Sequence, residues 1–127
     1  KHQLSNQVIF IHAVQFSDLP MIYRAAKVFV YPSLFEGFGI PMLEALYHGK
    51  YCMVSDIPTF REIGKEGVTY LPFQKPENAK EWANEIYAFC KNPIKPKVDI
   101  SNFTWENTAK ITEEVFSQIL LESPNQK

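Results

Sequence analysis

Little in this chain of 127 residues points to nucleic acid, to a bilayer or to a metal. Lys and Arg total 13 against 14 Asp and Glu, a net charge of −1, so no basic surface accompanies the aromatic residues. A nucleic-acid partner is therefore not expected. No apolar run reaches the ~18–20 residues that span a bilayer, and none is patterned as a secretory leader. The expected location is cytoplasmic, with the inner face of the membrane open to a full-length protein. The chain has two cysteines, Cys52 and Cys90. Without a leader, both are expected to be small buried apolar residues rather than a disulfide. His2, His12 and His48 lie far apart without metal-ligand spacing, so no metal is expected. Internal repeats and low-complexity segments are absent too.

What the chain does have is an alternation of apolar strands and amphipathic helices, the pattern of an α/β fold with a largely parallel sheet. The 46% hydrophobic content suffices for one core. Strands are expected at Val8–Ile11, Val28–Tyr31, Cys52–Val54 and Val68–Leu71. Ser17 and Asp18 are N-cap candidates for a helix over Leu19–Ala26, and a second helix from Pro41 stops at Gly49. Phe60–Ile63 reads as one helical turn, with Arg61 and Glu62 as a surface pair or helix-end charges. A helix from Pro76 carries Ala79, Trp82, Ala83, Ile86 and Cys90 on one stripe. Lys91–Lys97 is a connector. Thr104 caps a last helix with Ala109, Thr112, Phe116 and Ile119 on its apolar face, and residues 122–127 are expected to fray. Phe29, Tyr31, Trp82 and Trp105 are expected in the core.

The most informative segment is Tyr31-Pro-Ser-Leu-Phe-Glu-Gly-Phe-Gly-Ile-Pro-Met-Leu-Glu-Ala-Leu46. A strand feeds a loop carrying Glu36, Gly37 and Gly39, and the loop opens into a helix whose first turn is expected to carry Glu44. Both glycines let a ligand approach the backbone closely. Free amides at a helix start, with the positive end of its dipole, attract phosphate. Two carboxylates beside such a site would repel phosphate, so they suit sugar hydroxyls instead. A phosphate cradle flanked by hydroxyl-binding acids points to a sugar nucleotide.

Glu36-Gly-Phe-Gly-Ile-Pro-Met-Leu-Glu44 resembles the Glu-x7-Glu signature of retaining glycosyltransferases of the GT-B fold, family 4 (group 1). Asp18-Leu-Pro-Met-Ile-Tyr23, Ala26-Lys-Val-Phe-Val-Tyr-Pro-Ser33, Ser55-Asp-Ile-Pro58, Arg61-Glu-Ile63 and Phe103-Thr-Trp105 also resemble the family, in order. The resemblance implies a Rossmann-like, partial C-terminal donor-binding domain over residues 1–121, a short parallel sheet flanked by helices. The N-terminal acceptor domain and the first two strands of the donor domain would lie outside the chain, and with them the cations that meet the diphosphate. Family membership implies Glu36 at the donor-sugar hydroxyls, as the catalytic-site acid, and Glu44 at the ribose. The backbone at Gly37, Phe38, Gly39 and Ile40 would meet sugar and diphosphate, and Val14 would stand near the nucleobase wall. The implied donor is a UDP-, GDP- or ADP-sugar, with no cofactor or metal and a glycan or lipid acceptor. The chain departs from the family's common residues at Ala13, Tyr51 and Thr59.

The reaction so implied is retaining transfer of a hexosyl group, for example in polysaccharide biosynthesis, with the fragment alone nearly inactive. The alternatives are a sugar-nucleotide epimerase and a non-catalytic nucleotide-binding module. With two strands missing, Val8–Ile11 and Val28–Tyr31 are expected either to pair directly or to be completed by another chain, giving a homo-oligomer through strand edges.

Overall fold

The computed structural model describes residue 4 and residues 7–122. A three-stranded parallel sheet, ordered β1 (Val28–Tyr31), β2 (Tyr51–Ser55), β3 (Thr69–Leu71), lies at its centre. In register, Phe29 sits opposite Cys52 and Val54 opposite Tyr70. The central strand is the most buried, with Cys52 to Ser55 all inside, as two covered faces require. The sheet is flanked by α1 (Leu19–Ala25, after a 3-10 turn at Phe16–Asp18), α2 (Ile40–Tyr47), α3 (Pro58–Gly64) and α4 (Asn78–Lys91). The chain closes with α5 (Trp105–Glu122).

Alternation along the strands builds two cores. Cys52 and Val54 face α2 and α3, where Met42, Ala45, Leu46, Phe60 and Ile63 fill one layer. Met53 and Leu71 face the other way and meet Trp82 and Phe89 of α4. The connector after α4 folds back so that Val98 and Ile100 pack on the first core.

Several expectations need correction. Residues 8–11 form no strand, and Ile9, Phe10 and Ile11 are exposed. Among the described residues β1 pairs with β2 alone, so the direct pairing of the two segments does not occur. A short apolar run becomes a strand only where a neighbour's backbone completes its ladder. On α4 the buried face is Trp82, Ile86 and Phe89, at i, i+4, i+7. Ala79, Ala83 and Cys90 lie on adjacent, exposed stripes, so only Cys52 behaves as a buried cysteine.

Thr104 does cap α5, its Oγ1 accepting from the Asn107 amide at 3.1 Å. The expected apolar stripe, however, meets no core: Phe116 and Ile119 are more than half exposed, and Trp105 is 87% exposed. Arg61 pairs with Asp56 instead of Glu62, its Nη2 lying 2.8 Å from Asp56 Oδ2. Residues 123–127 of the expected frayed tail lie outside the described residues. Among the described residues no helix is long and apolar enough to cross a membrane.

Candidate donor-binding site

The loop Pro32–Gly39 leaves the C-terminal end of β1, the edge of a parallel sheet where ligands gather in open α/β folds. Two buried or half-buried hydroxyls pin it. The Ser33 amide donates to Ser55 Oγ at the end of β2, 2.8 Å, and Thr59 Oγ1 donates to the Glu36 carbonyl, 2.9 Å. The Glu36 side chain is held as firmly as its backbone. Its Oε1 accepts from Tyr31 OH at 2.7 Å and from Ser33 Oγ at 2.9 Å. The Ser33 hydroxyl also has the Phe35 carbonyl at 3.0 Å, and its one proton serves one acceptor at a time.

Glu44 is held once, its Oε2 accepting from Tyr23 OH of α1 at 2.8 Å. It lies in the second turn of α2, since that helix starts at Ile40 and has no acid in its first turn. Sequence spacing placed it one turn too early, and the corrected position removes helix-dipole stabilisation as its reason for being there. Neither glutamate forms an ion pair among the described residues, and each has one carboxylate oxygen left to accept. Bonding to Glu36, then burial, pushes the Tyr31 phenol up to about 12. Burial, then the bond to Glu44, pushes the Tyr23 phenol up as well. Both tyrosines therefore stay protonated donors at neutral pH, and both carboxylates are aimed.

Between the acids, Gly39 forms the N-cap of α2 with φ +93° and no side chain caps the helix. Pro41 falls at the second helical position. The Met42 and Leu43 amides both donate to the Gly39 carbonyl. The amides of Phe38, Gly39 and Ile40 have no acceptor among the described residues. Gly39 is glycine for an internal reason as well: a Cβ there would lie 2.7 Å from Phe60 Cε1. At Gly37 a Cβ would meet nothing within 4 Å, so this is the glycine around which space is open.

Glu44 lines a cleft of about 350 Å³ with Leu43, Tyr47 and His48 of α2 and the Ile100–Thr104 turn opposite. That volume lies at the low end for ligand pockets. Phe38 reaches the same turn, its ring edge-on to Phe103 at 5.9 Å. Glu36 does not line this cleft, and the amide turn connects the two acids along the chain. Val14 is half-buried in an irregular segment and lines neither of the two clefts described. Sequence reasoning gave Tyr23, Tyr31, Ser33 and Thr59 no part in holding the glutamates. Three of these stand in the segments that carry the resemblance, where a hydroxyl spaced to reach each glutamate was the available signal.

A parallel α/β sheet with two aimed carboxylates around a turn of free amides can take a ligand that offers both hydroxyls and an anionic group. The chain belongs to the group 1 glycosyl transferases, whose family pattern matches residues 1–104. It is 40% identical over 84 residues to the O-antigen chain mannosyltransferase RfbU of Salmonella typhimurium, covering 66% of this chain and 23% of that one. It is 34% identical over 122 residues to the serotype-specific mannosyltransferase WbdA of Escherichia coli, covering 93% of this chain and 15% of that one. An uncharacterized glycosyltransferase of Methanocaldococcus jannaschii, MJ1607, is 29% identical over 119 residues, or 87% and 30% of the two chains. The chain thus spans less than a third of the length of each of these relatives. No solved structure matches it significantly.

Proposed function

We propose that this chain is the donor-binding part of a retaining GT-B glycosyltransferase of family 4, moving a hexose from a nucleoside-diphosphate sugar to a hydroxyl of a growing glycan. The observation that carries the reading is the pair of aimed glutamates on either side of the unpartnered Phe38–Ile40 amides. Glu36 accepts from donor-sugar hydroxyls and Glu44 from the ribose. The amides and the start of α2 stabilise the charge that builds on the departing diphosphate. The acceptor is taken mainly by a region outside this chain. Both O-antigen and serotype-specific relatives are named mannosyltransferases, which favours mannose as the transferred sugar.

Ligand-observed NMR with UDP-, GDP- and ADP-sugars tests this. One nucleotide sugar is expected to bind, and Glu44→Ala to weaken it about tenfold, the loss of roughly one charge-assisted hydrogen bond. Equal affinity of Glu44→Ala and the parent for every nucleotide would refute the assignment of Glu44.

A further inference from the structure

The glutamate loop has a second concave face, distinct from the Glu44 cleft. A pocket of about 180 Å³ lies at the C-terminal ends of all three strands, with Ser33, Ser55, Asp56, Phe73 and Gln74 in its wall. Its size suits a single ring rather than a whole nucleotide, since drug-sized ligands take ≈ 300–1,000 Å³.

Much of the wall is fixed. The Asp56 amide donates to the Leu71 carbonyl at 2.9 Å. Trp82 Nε1 donates to the Pro72 carbonyl at 2.7 Å, and its ring holds Phe73 edge-on at 6.2 Å. Arg61 forks onto both Asp56 oxygens and so sets the plane of that carboxylate. Phe73 remains 41% exposed, a ring anchored on one side and open on another. Ser55 is 1% exposed, and its Oγ already accepts from the Ser33 amide. Its own hydroxyl proton has no acceptor among the described residues.

An open aromatic face beside a fixed carboxylate, a side-chain amide and a spare hydroxyl is the chemistry that takes a sugar ring. The C–H face of a pyranose is apolar and packs on an aromatic ring, while its rim presents hydroxyls that both donate and accept. A phosphate does not fit. The carboxylate in the wall repels it, and the adjacent cation, Arg61, already has its fork committed to Asp56. Ser33 belongs to this wall and its hydroxyl also contacts Glu36 Oε1, so one residue links the pocket to the acid assigned to the donor sugar.

We propose that this pocket is a subsite for one neutral sugar ring of the acceptor glycan, stacked on Phe73 and hydrogen-bonded by Asp56, Gln74 and Ser55. The proposal rests on the glycosyltransferase reading for the source of the ring, but its chemistry does not require that reading. The test follows backbone amide NMR shifts while the chain is titrated separately with a mannobiose, with methyl mannoside and with the nucleotide-sugar panel. Mannobiose is expected to shift Ser33, Asp56, Phe73 and Gln74 saturably, and Gln74→Ala and Phe73→Ala to weaken it by about tenfold or more. Gln74 is exposed, so its variant reports on binding even if loss of Phe73 disturbs the packing on Trp82. No saturable shift at these residues, shifts confined to Glu36–Ile40, or unchanged affinity in Gln74→Ala would each overturn the subsite. Nucleotide-sugar shifts at Phe38–Ile40 without a mannobiose response would sink the subsite and leave the donor reading standing. A mannobiose response without nucleotide binding would do the reverse.

Discussion

Glu36 and Glu44 are the same residue eight positions apart, yet the molecule holds them in different ways. Glu36 is fixed at its carbonyl by Thr59 and at its carboxylate by Tyr31 and Ser33, from three parts of the chain. Glu44 relies on a regular helix for its backbone and on one phenol, Tyr23, for its side chain. The difference follows from where each sits. A loop residue has no ladder of backbone bonds to orient it, so side chains must supply the restraint, whereas a helix fixes its residues and leaves only the rotamer to set. The more elaborate tethering therefore belongs to the loop acid, the one proposed to read the donor sugar.

The largest effect is expected where the two regions join. Gly39→Ala forces a side chain into φ +93° and against Phe60, at 2.7 Å. Backbone strain and overpacking together are expected to cost about 2–4 kcal/mol in urea unfolding. A loss below about 0.5 kcal/mol would mean that the turn rearranges freely, and the two acids would then not be held in register.

Next come the two tyrosines, which sharpen the contrast directly. Tyr23→Phe removes the single donor to Glu44 and is expected to destabilise by about 1.5 kcal/mol. Tyr31→Phe leaves Ser33 on Glu36 and is expected to cost only about 0.5–1 kcal/mol. The reverse order would show that Ser33 spends its proton on the Phe35 carbonyl instead. Alkaline pH probes the same bonds. The Tyr31 phenol is raised from 10.0 to about 12 by Glu36 and burial. The folded state thus keeps a proton that the unfolded chain loses first, and stability falls as pH rises from about 10 toward 12. Tyr31→Phe is expected to show a shallower fall across that window, read as unfolding midpoints against pH. Parallel slopes for parent and variant would place the bond elsewhere.

Much of this was legible in sequence, and the rest was hidden for specific reasons. The strand–loop–helix around Glu36 could be read because β-apolar runs, glycines and a proline each act locally. The three strands at 28–31, 51–55 and 69–71 could be read for the same reason. Resemblance to the family carried the roles of the two glutamates, which local pattern alone left at hydroxyl binding. The Val8–Ile11 run misled because strand formation depends on a neighbour that the run itself does not encode. On α5 and at Trp105, amphipathic spacing correctly described a face but said nothing about what stands opposite it, and the described residues leave that face open. Thr59 shows the converse. It departs from the residue common in the family, yet it donates a hydrogen bond to the very acid that the signature is built around.

The smallest stability effect is expected at Gly37, and it is the most discriminating comparison with Gly39. Gly37 has no positive φ and open space where a Cβ would go, so Gly37→Ala should leave stability within about 0.5 kcal/mol of the parent. A slight gain falls within that range, because alanine restricts the unfolded chain more than glycine does. The added methyl nevertheless occupies open space in the loop that carries the free Phe38–Ile40 amides. If a nucleotide sugar is held there, its affinity should fall several-fold in a variant whose unfolding curve is unchanged. Such a split, with stability kept and binding lost, would identify Gly37 as the glycine kept for the ligand and Gly39 as the glycine kept for the fold. Unchanged binding in Gly37→Ala would move the ligand away from this turn and leave Glu44 and its cleft to account for donor recognition.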